Sequence, residues 1–203
     1  MRIPDADHSS SLVLVGSSLG PESDEVVGSG LAMARHETSR LALVHVLEPQ
    51  GDVASGLLAF SMVRDGLLTA AREQLAAQLR RLGALSRDVA EIAVELPPAD
   101  AALLAAAERW HPRLLVIGAN RDCPPSLRLG SVATRLLRRS PCPLWLVKGR
   151  ATATPTTYVL DNAERGERER LVSLVRKAEC PVLILPTWAE AVSAPPASRG
   201  EIP

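Results

Sequence analysis

Along the chain, short runs of leucine and β-branched residues alternate with longer stretches in which apolar side chains return every three or four positions. The runs Leu12 to Val15, Leu41 to Leu47, Val89 to Leu96, Leu114 to Gly118 and Leu144 to Lys148 read as strands. Apolar on both faces, they suit a parallel sheet covered by helices on each side. Four helical patterns lie between them. The first follows Pro21-Glu22-Ser23, where Ser23 is placed to cap the helix and Asp24 and Glu25 meet its positive end, and it runs to about Glu37. The second carries Leu57, Phe60, Val63, Leu67, Leu68, Ala71, Leu75, Leu79 and Leu82 as one apolar stripe, with Arg64, Asp65, Arg72, Glu73 and Arg80 on a solvated opposite face. The third begins near Pro98 or Asp100 and stops before Pro112, and the fourth runs from Gly130-Ser131 to Ser140-Pro141, because proline cannot continue a helix. Right-handed crossovers turn this alternation into an α/β fold, a doubly wound five-stranded parallel sheet.

In such a sheet a ligand sits beyond the carboxyl ends of the strands, where the strand order reverses. The loops at Gly16 to Gly20, Val46 to Asp52 and Gly118 to Gly130 are therefore the places to look for chemistry. The last of these follows a strand ending in Gly118 and leads into a helix opened by Gly130-Ser131. Glycine lets backbone approach a ligand closely, and the free N–H groups of a helix start favour an anion, with the Ser131 hydroxyl as a further donor. The same residues also serve a plain structural purpose, with the glycines permitting turns and Ser131 capping the helix. Both readings stand at this level.

From Leu114 to Val147 the chain resembles the universal stress protein family, in which a strand, a Gly-x2-Gly-x9-Gly-Ser/Thr loop, a helix and a Pro-Cys-Pro-like turn precede the final strand. The likeness rests on Gly130-Ser131-Val132, Leu136-Leu137-Arg138 and Ser140-Pro141-Cys142-Pro143, on the opening run Leu12 to Ser18, and on His45-Val46, and it covers about Ser11 to Lys148. It implies an adenine nucleotide alpha hydrolase-like sheet, a cytosolic stress-response role, a homodimer, and an ATP site built from an Asp closing the first strand, backbone near Val46 and the loop from Gly118 to Ser131. Gly16 takes the place of that Asp and offers no side-chain acceptor. Arg121 replaces the second glycine, the spacing to Gly130 is one residue short, and Pro124-Pro125 stiffens the loop. These departures point to an ATP site weakened, altered or lost. Arg121 and Arg128 could instead grip phosphate oxygens themselves. The sites carried forward are thus Gly16, Val46, Gly118, Arg121, Arg128, Gly130 and Ser131, for a nucleotide, with no catalytic or metal residue.

Composition narrows the picture further. The chain has 203 residues, 46% hydrophobic and only 2% aromatic, so its core must be aliphatic. Its 23 basic and 23 acidic side chains cancel, which removes any global attraction to nucleic acid or anionic lipid. No apolar run approaches the ~20 residues of a membrane span. Cys123, Cys142 and Cys180 lack Cys-x-x-Cys spacing and read as reduced, mostly buried thiols. No His, Cys or acidic cluster has metal-ligand spacing, and neither Gly-x-Ser-x-Gly nor Gly-x4-Gly-Lys-Ser/Thr occurs, so hydrolase and P-loop chemistry find no support. His45 reads as a packing residue, and Arg135, Arg138 and Arg139 as cations offsetting the negative end of the fourth helix.

Beyond Lys148, a linker at residues 149–155 leads to a strand at Thr157 to Leu160, a helix at Glu164 to Ala178 and a strand at Val182 to Leu185. Leu136, Arg138, Cys142 and Pro143 recur in register as Leu174, Arg176, Cys180 and Pro181. This unit, residues 156–186, reads as a half-repeat of the preceding strand-helix-strand without its glycine loop. Two strands are not stable alone, so the unit must dock, by extending the sheet or at a dimer contact. The remaining tail, 187–203, is rich in Ala, Ser and Pro and is expected to be disordered.

Overall fold

The computed structural model describes residues 11–20, 22–47, 53–119, 129–148, 156–160, 165–178 and 180–186. The linker at 149–155, the tail at 187–203, Cys123, Arg121 and Arg128 lie outside them. The elements follow in the order β1 (Leu12–Ser17), α1 (Ser23–His36), β2 (Arg40–Val46), α2 (Val53–Arg81), β3 (Val89–Glu95), α3 (Ala99–Trp110), β4 (Leu114–Gly118), α4 (Ser131–Arg139), β5 (Leu144–Val147), β6 (Thr156–Leu160), α5 (Arg165–Lys177) and β7 (Val182–Pro186).

One seven-stranded sheet runs in the order β3-β2-β1-β4-β5-β7-β6. The first five strands are mutually parallel, as their two-faced apolar character requires. β7 joins antiparallel to β5, and β6 lies parallel to β7, so the C-terminal unit extends the sheet. The aliphatic core divides into two layers. Leu14, Val44, Leu115, Ile117, Leu144 and Leu146 face α3, α4 and α5. Val13, Val15, Leu41, Leu43, Val116 and Trp145 face α1 and α2. Alternation along each strand sends neighbours to opposite layers, which is why both layers are filled from the same short runs.

Three expectations change. β1 continues through Ser17 rather than stopping at Val15, because Gly16 and Ser17 keep pairing with Val44 and His45. Ser23 does not cap α1: the cap position is Glu22, which makes no side-chain cap bond, and the Ser23 hydroxyl turns inward to Gln78. The apolar stripe of α2 is buried at Ala71, Leu75 and Leu79 but exposed at Val63 and Leu67, which keep 52% and 38% of their surface. A helix of 29 residues spans about 43 Å at ~1.5 Å per residue. The seven-residue β3 spans about 23 Å at ~3.3 Å per residue, so the first turns of α2 overhang the sheet.

The stop signal before Pro112 acts as read. His111 closes α3 in the left-handed conformation, φ 45 and ψ 54, and its N–H donates to Ala107 O at 3.0 Å.

Candidate functional site at the β1–β4 switch point

The chain builds β1, β2 and β3 outward in one direction, then returns to set β4 on the other side of β1. The order therefore reverses between β1 and β4, and the crevice beyond their carboxyl ends is the natural ligand position. Ser17 and Ser18, Gly118, His45 with Val46, and the start of α4 at Gly130-Ser131 all lie at that edge. α4 begins there because it must run back to the start of β5.

The β1–α1 corner is held by a buried polar network. Ser17 Oγ donates to Gln78 Oε1 at 3.0 Å, and the Gln78 amide donates to Ser23 Oγ at 2.6 Å and to Asp24 Oδ1 at 2.7 Å. Leu19 N–H in turn donates to Ser17 Oγ at 3.1 Å, holding Leu19 at φ 61. This hydrogen bond from Gln78, aided by Arg81, holds the Asp24 carboxyl below its ordinary range. Ser18, the first residue past β1, is exposed, and its hydroxyl donates to Glu22 Oε1 at 2.7 Å.

Gly16 lies within β1, one residue before its end, and a side chain there would meet Ile117 and Leu103 at 3.4 Å, inside an apolar layer. Val46 ends β2, half-buried, opposite Glu95 of β3. Gly118 ends β4 beside Val147, and a Cβ on it would come within 3.0 Å of Val26 Cγ2 in α1, so its lack of a side chain is explained by helix packing. Gly130 occupies the N-cap of α4 at φ −61 and ψ 164, a conformation open to any residue. Ser131 is the first helical residue and is exposed; among the described residues α4 receives no side-chain cap bond. The first N–H groups of α4 therefore lie at the carboxyl-end edge of the sheet.

His45 is half-buried, and its Nδ1 lies 2.8 Å from the Ser17 carbonyl. A carbonyl only accepts, so Nδ1 carries the proton. The basic cluster on α4 is engaged sideways as well as along the helix: Arg135 pairs with Asp100 of α3 at 2.8 Å and Arg138 with Glu169 of α5 at 2.8 Å. A second concavity escaped sequence reasoning, a cavity of about 540 Å³ at the end of β3 between α2 and α3. Arg64 and Asp65, read as merely solvated, line it together with Glu95 and Arg109, which pair at 2.9 Å. The Pro97-Pro98 break after β3 was its one visible signal.

A family model, that of the universal stress protein family, matches residues 11–148. The chain belongs to this family. The fold of universal stress proteins is also what solved structures return. Universal stress protein UspA from Lactobacillus plantarum aligns with a TM-score of 0.58 at 13% identity, over 70% of this chain and 100% of that one. A universal stress protein crystallised in complex with cAMP aligns with a TM-score of 0.50 at 20% identity, over 69% and 98%. No curated protein matched the sequence. Both solved structures are thus matched over almost their whole length by about 70% of this chain. Among the described residues no group of three or more His, Cys, Asp or Glu could hold a metal ion, and no helix is long and apolar enough to cross a membrane.

Proposed function

We propose that this universal stress protein acts in the stress response by binding or assembly rather than catalysis, with a nucleotide site weakened or lost relative to its ATP-binding relatives. One observation carries the reading. Where β1 ends at the switch point, the side chains are serine hydroxyls already engaged with Gln78 and Glu22, so no carboxylate at the end of that strand is offered to a ribose. The Glu22 carboxylate, drawn back against Ser18 and Gly20, places its negative charge in the same β1–α1 corner. Because β1 reaches Ser17, we assign the missing acceptor to Ser18 rather than Gly16, whose side-chain direction leads into the apolar layer.

The alternative is an ATP- or other nucleotide-binding regulator. The start of α4 favours it, since Gly130 and exposed Ser131 leave N–H groups for an anion, and a relative of this fold holds cAMP. A melting experiment separates the two. A ligand at one hundred times its Kd stabilises by about 2.7 kcal/mol, and in a chain of this size each kcal/mol moves Tm by about 2–4 °C. Unchanged Tm at 5 mM ATP with magnesium, and at 5 mM cAMP, is expected; a rise of several degrees with either would favour the regulator.

A further inference from the structure

The backbone bonding of the C-terminal unit repeats that of the piece of fold on which it docks. Thr156 N–H donates to Pro181 O at 2.9 Å, as Leu115 N–H donates to Pro143 O at 2.9 Å. Ala178 N–H donates to Leu174 O at 3.2 Å, as Ser140 N–H donates to Leu136 O at 2.8 Å. β6 meets β7 in parallel with Thr156 opposite Val182, as β4 meets β5 with Leu115 opposite Leu144. The sequence supplies the same correspondence independently. Leu136, Arg138, Cys142 and Pro143 answer to Leu174, Arg176, Cys180 and Pro181, and Leu144-Trp145-Leu146 answer to Val182-Leu183-Ile184.

Under that correspondence the β5–β7 register is self-complementary. Trp145 faces Leu183, its own counterpart. Leu144 faces Ile184, the counterpart of Leu146, while Leu146 faces Val182, the counterpart of Leu144. Such reciprocity is what a two-fold axis imposes on an interface between identical subunits. The faces agree with an axis normal to the sheet: α4 and α5 lie in one core layer, with Leu136, Leu137, Leu171 and Val175, while Trp145 and Leu183 point together into the other. Arg138 and Glu169 join the two helices, and buried Lys148 donates to the Val175 carbonyl at 2.5 Å, at the negative end of α5.

We propose that residues 156–186 stand in for half of a second copy of the domain, and that the partner they displace from the β5 edge is β5 of another molecule of this same chain. An edge that pairs antiparallel with a near-copy of itself has the register to pair with the true copy. The tethered copy prevails at ordinary concentrations because a short linker holds it at a millimolar effective concentration. The protein is then self-capped at this edge, and loosening the unit converts one copy into two.

The test is sedimentation velocity on the full chain between about 1 and 300 µM, where tethering should still dominate. Wild type is expected as one copy throughout. Leu183→Pro removes ladder bonds from a strand paired on both sides, and Lys148→Met removes the donor to α5 without touching any strand backbone. Each variant should show a concentration-dependent species of twice the mass. If Leu183→Pro loses its cooperative melt, Lys148→Met decides. A cooperatively melting Lys148→Met protein that stays one copy at 300 µM overturns the proposal, and so does wild type already at two copies at 1 µM.

Discussion

Ser17 at the end of β1 and Gln78 in the last turns of α2 are joined by a 3.0 Å hydrogen bond, both side chains nearly free of solvent contact. Through it a strand end, the first turn of α1 and the far end of the longest helix are fixed together. Gln78→Leu fills the volume but leaves Ser17, Ser23 and Asp24 without the amide. A buried polar group left unpaired costs about 1–3 kcal/mol, and several share this one partner, so a loss of roughly 2–4 kcal/mol is expected by urea denaturation.

Glycines in this chain separate by what surrounds them. A methyl at Gly30 of α1 would strike the Val15 side chain in β1, and one at Gly118 would press Val26 at 3.0 Å. Overpacking of this kind costs about 1–3 kcal/mol, so Gly30→Ala and Gly118→Ala should both lower stability. Gly66, mid-helix in α2, has nothing within 4 Å. Gly66→Ala should raise stability by about 0.5–1 kcal/mol through helix propensity. Thermal melts of the three variants read the opposite signs directly.

Acid stability depends on two carboxylates. Asp88, largely buried behind Arg35, accepts from that guanidinium at 2.7 Å and from Leu85 N–H at 2.9 Å, which hold it below its ordinary 3.8. Asp24 is lowered by Gln78. A depressed carboxyl stabilises the fold above its unfolded value, and the contribution disappears as pH falls through the folded one. Stability should therefore decline below about pH 4, and Asp88→Asn should lower stability at pH 7 while flattening that decline.

Cysteine reactivity should follow burial. Cys142 is 6% exposed, and burial pushes its thiol up to about 11. Alkylation with iodoacetamide at pH 8 should leave Cys142 unmodified in the native protein, while half-buried Cys180 reacts, because the thiolate is the reactive form. Mass mapping before and after denaturation distinguishes the two sites.

Much of this architecture was legible in the chain because it rests on periodicity. The two-faced apolar runs placed all seven strands and the prolines ended α3 and α4 where they end. Recurrence of Cys-Pro marks the C-terminal unit in the sequence itself. What periodicity cannot carry is contact between distant residues. Ser17 looked like loop and Ser23 like a cap because the partner that claims both is Gln78, 61 and 55 positions away. The exposed Val63 and Leu67 belong to a stripe whose period is helical, but whether a stripe is covered depends on the length of the sheet beneath it. The motif locates Gly118 at the end of β4 and Gly130-Ser131 at the start of α4, whereas the side-chain direction at Gly16 requires the β1 register.

Isothermal titration calorimetry of the full chain with ATP and magnesium bears most directly on the weakened nucleotide site. No saturable heat up to about 1 mM, corresponding to a binding free energy no better than about −4 kcal/mol, is the predicted result. Saturable binding with a micromolar Kd, abolished by Ser131→Ala combined with Gly130→Val, would contradict it.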